Sequence, residues 1–136
     1  MRTVNAIQRQ REKTAMAANV YFCVAAVISI YFMSGPASII GLGTALVSDA
    51  VAAIVGTGLG RHLLKKGKSL EGSSGGALSS IFISYIMGAD PVTALALGGI
   101  FLFVDLNDFG FDDNFTMPLL MAVTVELMRA LPWVQG

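Results

Sequence analysis

Two stretches of this chain gather residue types suited to phosphate and metal chemistry. Residues 61–76 read RHLLKKGKSLEGSSGG, crowding basic side chains, hydroxyls and glycines, and residues 105–116 read DLNDFGFDDNFT, with Asp105, Asp108, Asp112 and Asp113 and no basic residue. A triphosphate carries several negative charges that lysines and free backbone N–H groups can hold, while Mg²⁺ is usually bound by one or two carboxylates plus phosphate oxygens. In the first stretch Lys65, Lys66 and Lys68 supply point charges, Ser69 and Ser73 supply hydroxyls, and Gly72, Gly75 and Gly76 let backbone approach a ligand. A helix starting near Ser73 would also turn its positive end toward the phosphates. Glu71 could orient a lysine, bind metal or cap that helix. The pair of stretches predicts a metal–nucleotide site.

Two simpler motifs do not fit. HLLKKGKS resembles the phosphate loop G-x-x-x-x-G-K-[ST], but His62 stands where the first glycine is required and no strand precedes it. Counting an EF-hand from Asp105 puts Thr116 where the closing glutamate belongs. His62, the single histidine, reads as a surface residue or phosphate contact. Lysines beside a membrane helix also serve as topology signals, and loop acids are often only solvated.

Asp49 adds a third group. It sits inside the apolar segment 36–56, PASIIGLGTALVSDAVAAIVG, where a charge costs about 2.5–3.5 kcal/mol on insertion scales and usually faces a bundle interior or a water-filled cavity. Gly41, Ala45, Ser48, Ala52 and Gly56 run beside it at three- and four-residue steps, a small-residue ridge that permits close helix packing. Packing alone requires no acid, so Asp49 is a site candidate.

The elements that must position these groups are membrane helices. The chain has 136 residues, 54% hydrophobic and 13% charged, with a mean hydropathy of +0.69, a composition suited to a bilayer rather than to water. Hydrocarbon forces backbone groups to pair within helices of about 20 residues. Five segments approach this: 16–33, 36–56, 76–88, 91–104 with Asp90 as N-cap and Pro91 first, and 117–133 ending in an interfacial tryptophan. The expected fold is thus all-α, a polytopic integral membrane bundle of about five transmembrane helices forming a single domain over 1–136. A polar tail (1–15), a basic nucleotide loop (57–75) and an acidic metal loop (105–116) complete it.

Arg2, Arg9, Arg11 and Lys13 mark the tail, and Arg61, Lys65, Lys66 and Lys68 the loop after the second segment; the turns around Ser34 and Asp90 carry no lysine or arginine. The positive-inside rule puts the tail and both loops on the cytoplasmic face. No cleavable signal peptide is evident, because the first fifteen residues are polar. Cys23, the single cysteine, reads as a small buried apolar group. Glu126 reads as a local partner of Arg129 three residues on. Aromatics such as Phe22, Tyr31, Phe82 and Phe101 read as lipid-facing or core groups, some lining a groove for an acyl or isoprenoid chain.

SDAVAAIVGTGLGRHLLKKGKSLEGSSGG followed by DDNFTMPLL resembles the CTP-dependent lipid-alcohol kinases: dolichol kinase, phytol kinase and the CTP-using diacylglycerol kinase. The resemblance runs from about Glu12 to the C-terminus and implies transfer of the γ-phosphoryl group of CTP, with Mg²⁺, to a membrane-embedded alcohol. By position it implies roles for Asp49, for Gly56, Gly60 and Arg61, for Lys68, Ser69, Glu71, Gly72 and Ser73, and for Asp113, Asn114, Thr116 and Pro118. It suggests that Arg61, Lys68 and Ser69 hold the phosphates beside Gly60, Lys65, Lys66, Gly72 and Ser73. Asp113, Asn114, Asp105 and Asp112 would bind the ion, and Asp49, Lys68 and Glu71 would be catalytic, with Asp49 accepting the alcohol proton or completing the metal shell. Asp105 stands where relatives usually carry glutamate. Family members also usually begin with further helices, so the resemblance leaves three alternatives for this chain: a partner subunit, pairing with itself, or inactivity. The expected partners are CTP, the lipid alcohol and the bilayer, with no nucleic acid. A cytidylyltransferase making a CDP-lipid, with a similar lysine-x-x-glutamate-glycine loop, and a non-catalytic membrane subunit are the alternatives.

Overall fold

The computed structural model describes residues 2–64, 67–107 and 110–132, with side chains from residue 13 onward except residue 15. Lys65, Lys66, Asp108 and Trp133 lie outside the described residues, as do the side chains of Arg2, Arg9 and Arg11. The described chain is all-α. Its helices are α1 (Arg2–Phe32), α2 (Gly35–Leu59), α3 (Leu70–Ile86), α4 (Pro91–Leu106) and α5 (Asp113–Arg129), with no strand and one isolated bridge between Leu63 and Ser69.

Local chemistry sets these boundaries. Ser34, Ser69, Asp90 and Asp112 each accept a backbone N–H from the first turn that follows, satisfying donors the helix itself leaves unpaired. Pro36 and Pro91 stand in first turns, where their missing N–H costs nothing. Gly88 closes the turn after α3 with φ 97°, a left-handed conformation that glycine adopts without strain.

The loops are shorter than the sequence suggests. The basic connection spans only residues 60–69, because the Ser69 hydroxyl accepts the Gly72 N–H at 3.0 Å and starts α3 there. Gly72 and Ser73, expected in the loop, therefore lie in the first turns of α3. Likewise α4 runs past Asp105 to Leu106 and α5 begins at Asp113, so the acidic connection shrinks to residues 107–112. The polar tail is continuous with α1, which starts at Arg2.

Leu97, Phe101, Val104, Met121 and Val125 form the centre of the core. α2 packs against α3 and α5, and α4 closes the bundle against α3 and α5; α1 lies along α5 and scarcely touches α2. The small-residue ridge serves these contacts. A Cβ on Gly41 would stand 2.4 Å from the Ala122 Cα, and one on Gly76 would stand 2.2 Å from the Phe101 ring. At the opposite end from the basic connection, the Glu126 carboxylate accepts both the backbone N–H (3.0 Å) and the hydroxyl (2.5 Å) of Ser34. Its contact thus ties α5 to the start of α2 rather than serving only the nearby Arg129.

Apolar side chains crowd the outside: Val27, Ile30, Ile54, Leu78, Phe82 and Leu95 are exposed, while Ser38, Ser48, Ser80 and Ser84 are buried. Among the described residues α2, at 25 residues, is the one helix long and apolar enough to cross a bilayer; Met16–Phe32 and Pro91–Leu106 are shorter apolar helices. Cys23 is exposed, a correction to its expected burial, because its face of α1 has no helix packed on it.

Candidate functional site

The basic connection is folded back on itself. Leu64 N–H donates to the Lys68 carbonyl (2.6 Å) and Leu70 N–H to the His62 carbonyl (3.0 Å), while Gly67, at φ 74°, makes the reversal. Glu71 clips the other side: its carboxylate accepts the N–H groups of Arg61 and His62 at 3.2 Å each and meets His62 Nδ1 at 2.6 Å. The His62 contact, helped by these N–H groups, holds the Glu71 carboxyl down at about 2.

The clip sets Lys68 across the gap between α4 and α5. Its Nζ donates to Asp105 Oδ1 (2.7 Å), to the Asp105 carbonyl (3.2 Å) and to Asp113 Oδ2 (2.5 Å). Ser73 donates from its hydroxyl to the other Asp105 oxygen at 2.5 Å. The Lys68 side chain is 29% exposed and that of Asp105 only 7%, so the pair is held away from bulk water and is stronger than a surface ion pair. Burial pulls the Lys68 ammonium down, but its bonds to Asp105 and Asp113 outweigh this and hold it above the usual lysine range.

Beside this knot lies an open pocket of about 320 Å³, walled by Asp49, Gly56 and Thr57 of α2, by Gly67, Lys68 and Ser69, by Gly72 and Ser73 of α3, and by Asp105. Its narrow walls need glycine. A Cβ on Gly56 would stand 3.1 Å from the Ser69 hydroxyl oxygen, and one on Gly72 would stand 2.8 Å from the Ala52 carbonyl. A second, smaller groove of about 30 Å³ opens on the other side of Asp49, lined by Phe22, Leu46, Asp113, Asn114, Met117 and Pro118. Asp49, exposed on its helix, lines both spaces.

The structure therefore gathers Asp49, Lys68, Ser69, Gly72, Ser73, Asp105 and Asp113 in one region. It places others elsewhere. Glu71 is engaged in the loop clip and does not line the pocket, and Arg61 contributes its backbone N–H to that clip. Gly60 sits at the end of α2, where its N–H reaches the Gly56 carbonyl. Asp112 caps α5, accepting from both the backbone and the side-chain N–H of Asn114 at 2.9 and 2.8 Å. The sequence reading missed Thr57 and Ala53 as pocket walls and Gly67 as the turning point. A helical wheel through Asp49, Ala52, Ala53 and Gly56 would have found the first wall, since these positions share a face.

Mg²⁺ is the ion the resemblance implies, and the donor set fits it. Among the described residues no group of three or more acids, histidines or cysteines is placed to hold a metal. Mg²⁺, however, commonly takes one or two carboxylates and completes its shell with phosphate and water. Asp105 and Asp113 provide those carboxylates, already converging on one cation, the Lys68 ammonium.

Comparison with family models, with characterised proteins and with solved structures finds no match for this chain.

Proposed function

We propose that this chain is a membrane-embedded kinase that moves the γ-phosphoryl group of CTP onto the hydroxyl of a lipid alcohol, at the cytoplasmic face. One observation carries the reading: Lys68 joins Asp105 and Asp113 at the rim of a pocket that Asp49 shares with an apolar groove. Phosphoryl transfer asks mainly for positioning and charge neutralisation. A lysine, two hydroxyls, the capped start of α3 and two carboxylates in one open pocket supply both. The membrane setting is supported by the length of α2 and by the apolar exterior over a serine-bearing interior, an arrangement suited to hydrocarbon contact. The choice of CTP and of a lipid acceptor draws on the three ordered motifs.

In this reading Lys68 and Ser69, with the N-terminal N–H groups of α3, hold the phosphates. Asp105 and Asp113 hold Mg²⁺, which supplies charge neutralisation on the phosphate oxygens. Asp49 orients the acceptor hydroxyl and takes its proton. The acceptor oxygen bonds to the γ-phosphorus as the bond to the β–γ bridging oxygen breaks; CDP leaves with that electron pair, and Asp49 passes the proton to water. The test is γ-labelled CTP offered with polyprenol, phytol and diacylglycerol in detergent micelles. Label in the lipid with CDP release is expected. Pyrophosphate release with CDP-lipid formation points to the cytidylyltransferase, and no saturable binding of Mg²⁺ and CTP by calorimetry points to the non-catalytic subunit.

A further inference from the structure

As a phosphate ligand and two metal ligands, Lys68, Asp105 and Asp113 would stand apart, yet in the structure they are bonded to one another. Lys68 Nζ donates to Asp105 Oδ1 at 2.7 Å and to Asp113 Oδ2 at 2.5 Å. The other Asp105 oxygen takes the hydroxyl of Ser73, itself buried, at 2.5 Å, so Asp105 has no second free oxygen to turn to the same point. A magnesium-sized ion takes its oxygens at about 2.0–2.1 Å, inside the space that the ammonium fills. The seat between the two carboxylates therefore holds one cation or the other. Electrostatics acts in the same sense: with the ammonium in place an arriving ion meets one net negative charge and a positive neighbour, instead of two negative charges.

Lys68 has somewhere else to go. It follows Gly67, whose φ is 74°, and precedes the Ser69 cap, so it lies outside α3. It also lines the open pocket shared by Ser69, Gly72 and Ser73, where its flexible four-carbon stem can carry the charge from the aspartates to a bound anion without moving a helix. We propose that Lys68 is a resident counter-ion that bars a free divalent cation from Asp105 and Asp113, so that the ion enters only with a polyphosphate that takes up the ammonium. Cation and polyphosphate then strengthen each other's binding, and by the same factor. The naming of that polyphosphate as CTP rests on the function proposed above, whereas the exclusion of a free ion rests on the Lys68 bonds alone.

Mn²⁺ is the probe, counted by electron paramagnetic resonance on the intact protein in micelles without nucleotide. Lys68→Met keeps the stem and removes the charge, and it is expected to bind Mn²⁺ about tenfold more tightly than the wild type. Adding Asp105→Asn should erase that gain, which assigns the ion to this seat. Unchanged or weaker binding by a folded Lys68→Met chain overturns the proposal. The wild type tests it without a substitution: inorganic triphosphate should strengthen protein-bound Mn²⁺ about tenfold, read by water-proton relaxation, which separates it from Mn²⁺–triphosphate in solution. No strengthening overturns it as well. Calorimetry with CTP tells the two proposals apart. Strengthening by triphosphate in a chain that binds no CTP upholds the exclusion and defeats the kinase, whereas CTP-dependent lipid phosphorylation with no gain for Lys68→Met overturns the exclusion alone.

Discussion

At the scale of single residues, Lys68 is the group on which the site turns. It neutralises Asp105 and Asp113 at once, so its removal leaves two carboxylates facing each other with no counter-charge. Lys68→Ala is expected to lower CTP-dependent lipid phosphorylation by a factor of about 10²–10³, the usual cost of removing one charge-stabilising group. Circular dichroism should show helicity retained; undiminished turnover overturns the assignment. Asp49→Asn should lower kcat by a larger factor than it weakens calorimetric binding of Mg²⁺ and CTP, since Asp49 lines the acceptor groove as well as the nucleotide pocket and makes no hydrogen bond to the Lys68 knot. The Glu71 clip gives a pH signature. Its carboxyl falls from an ordinary 4.5 to about 2 in the folded chain, so its contribution is present above 4.5 and is lost as pH falls through about 2. Amide exchange at Arg61 and His62, whose N–H groups it accepts, should accelerate across that acid window, and Glu71→Gln should abolish the pH dependence. Lys68 works in the other direction: raised above its ordinary 10.5, it stabilises fully below that pH and loses its effect as pH rises through the folded value.

At the scale of elements, glycines decide how closely the helices approach, and only some of them do. Gly76→Ala puts a methyl group 2.2 Å from the Phe101 ring, whereas nothing lies within 4 Å of a Cβ on Gly99. The first substitution is expected to destabilise by roughly 1–3 kcal/mol as overpacking. The second should be neutral or stabilising by up to about 1 kcal/mol, because alanine is the better helix former. Thermal melts in detergent distinguish them, and equal effects at the two positions contradict the packing described. The ridge of small residues on α2 was visible in the sequence as three- and four-residue spacing. Which helix each small residue meets was not: Gly41 meets α5, while Ala52 and Gly56 meet Gly72 of α3.

At the scale of the whole molecule, the Lys68 contacts put the α2–α3 and α4–α5 connections at one end of the bundle, and the Glu126–Ser34 contact ties the other. In a bilayer this becomes a labelling pattern. In a Cys23→Ala background, single cysteines at Thr57 and Asn107 should react with an impermeant maleimide from the same side, and one at Asp90 from the opposite side. Reaction of Thr57 and Asn107 from opposite sides would remove the shared nucleotide site.

The sequence by itself determined the helical class, the Asp90 cap and the two charged stretches, because caps and hydrophobic runs are local and each acts within one turn of its own position. It also marked Asp49, since an acid in an apolar helix is conspicuous wherever it points. Only the tertiary structure decided which of the charged groups share a pocket. Lys68 and Asp113 are far apart in the chain, and Glu71 and Lys68 are near neighbours, yet Lys68 joins Asp113 while Glu71 turns back to His62. Side-chain direction at a loop is set by what packs across from it, and that partner comes from another helix.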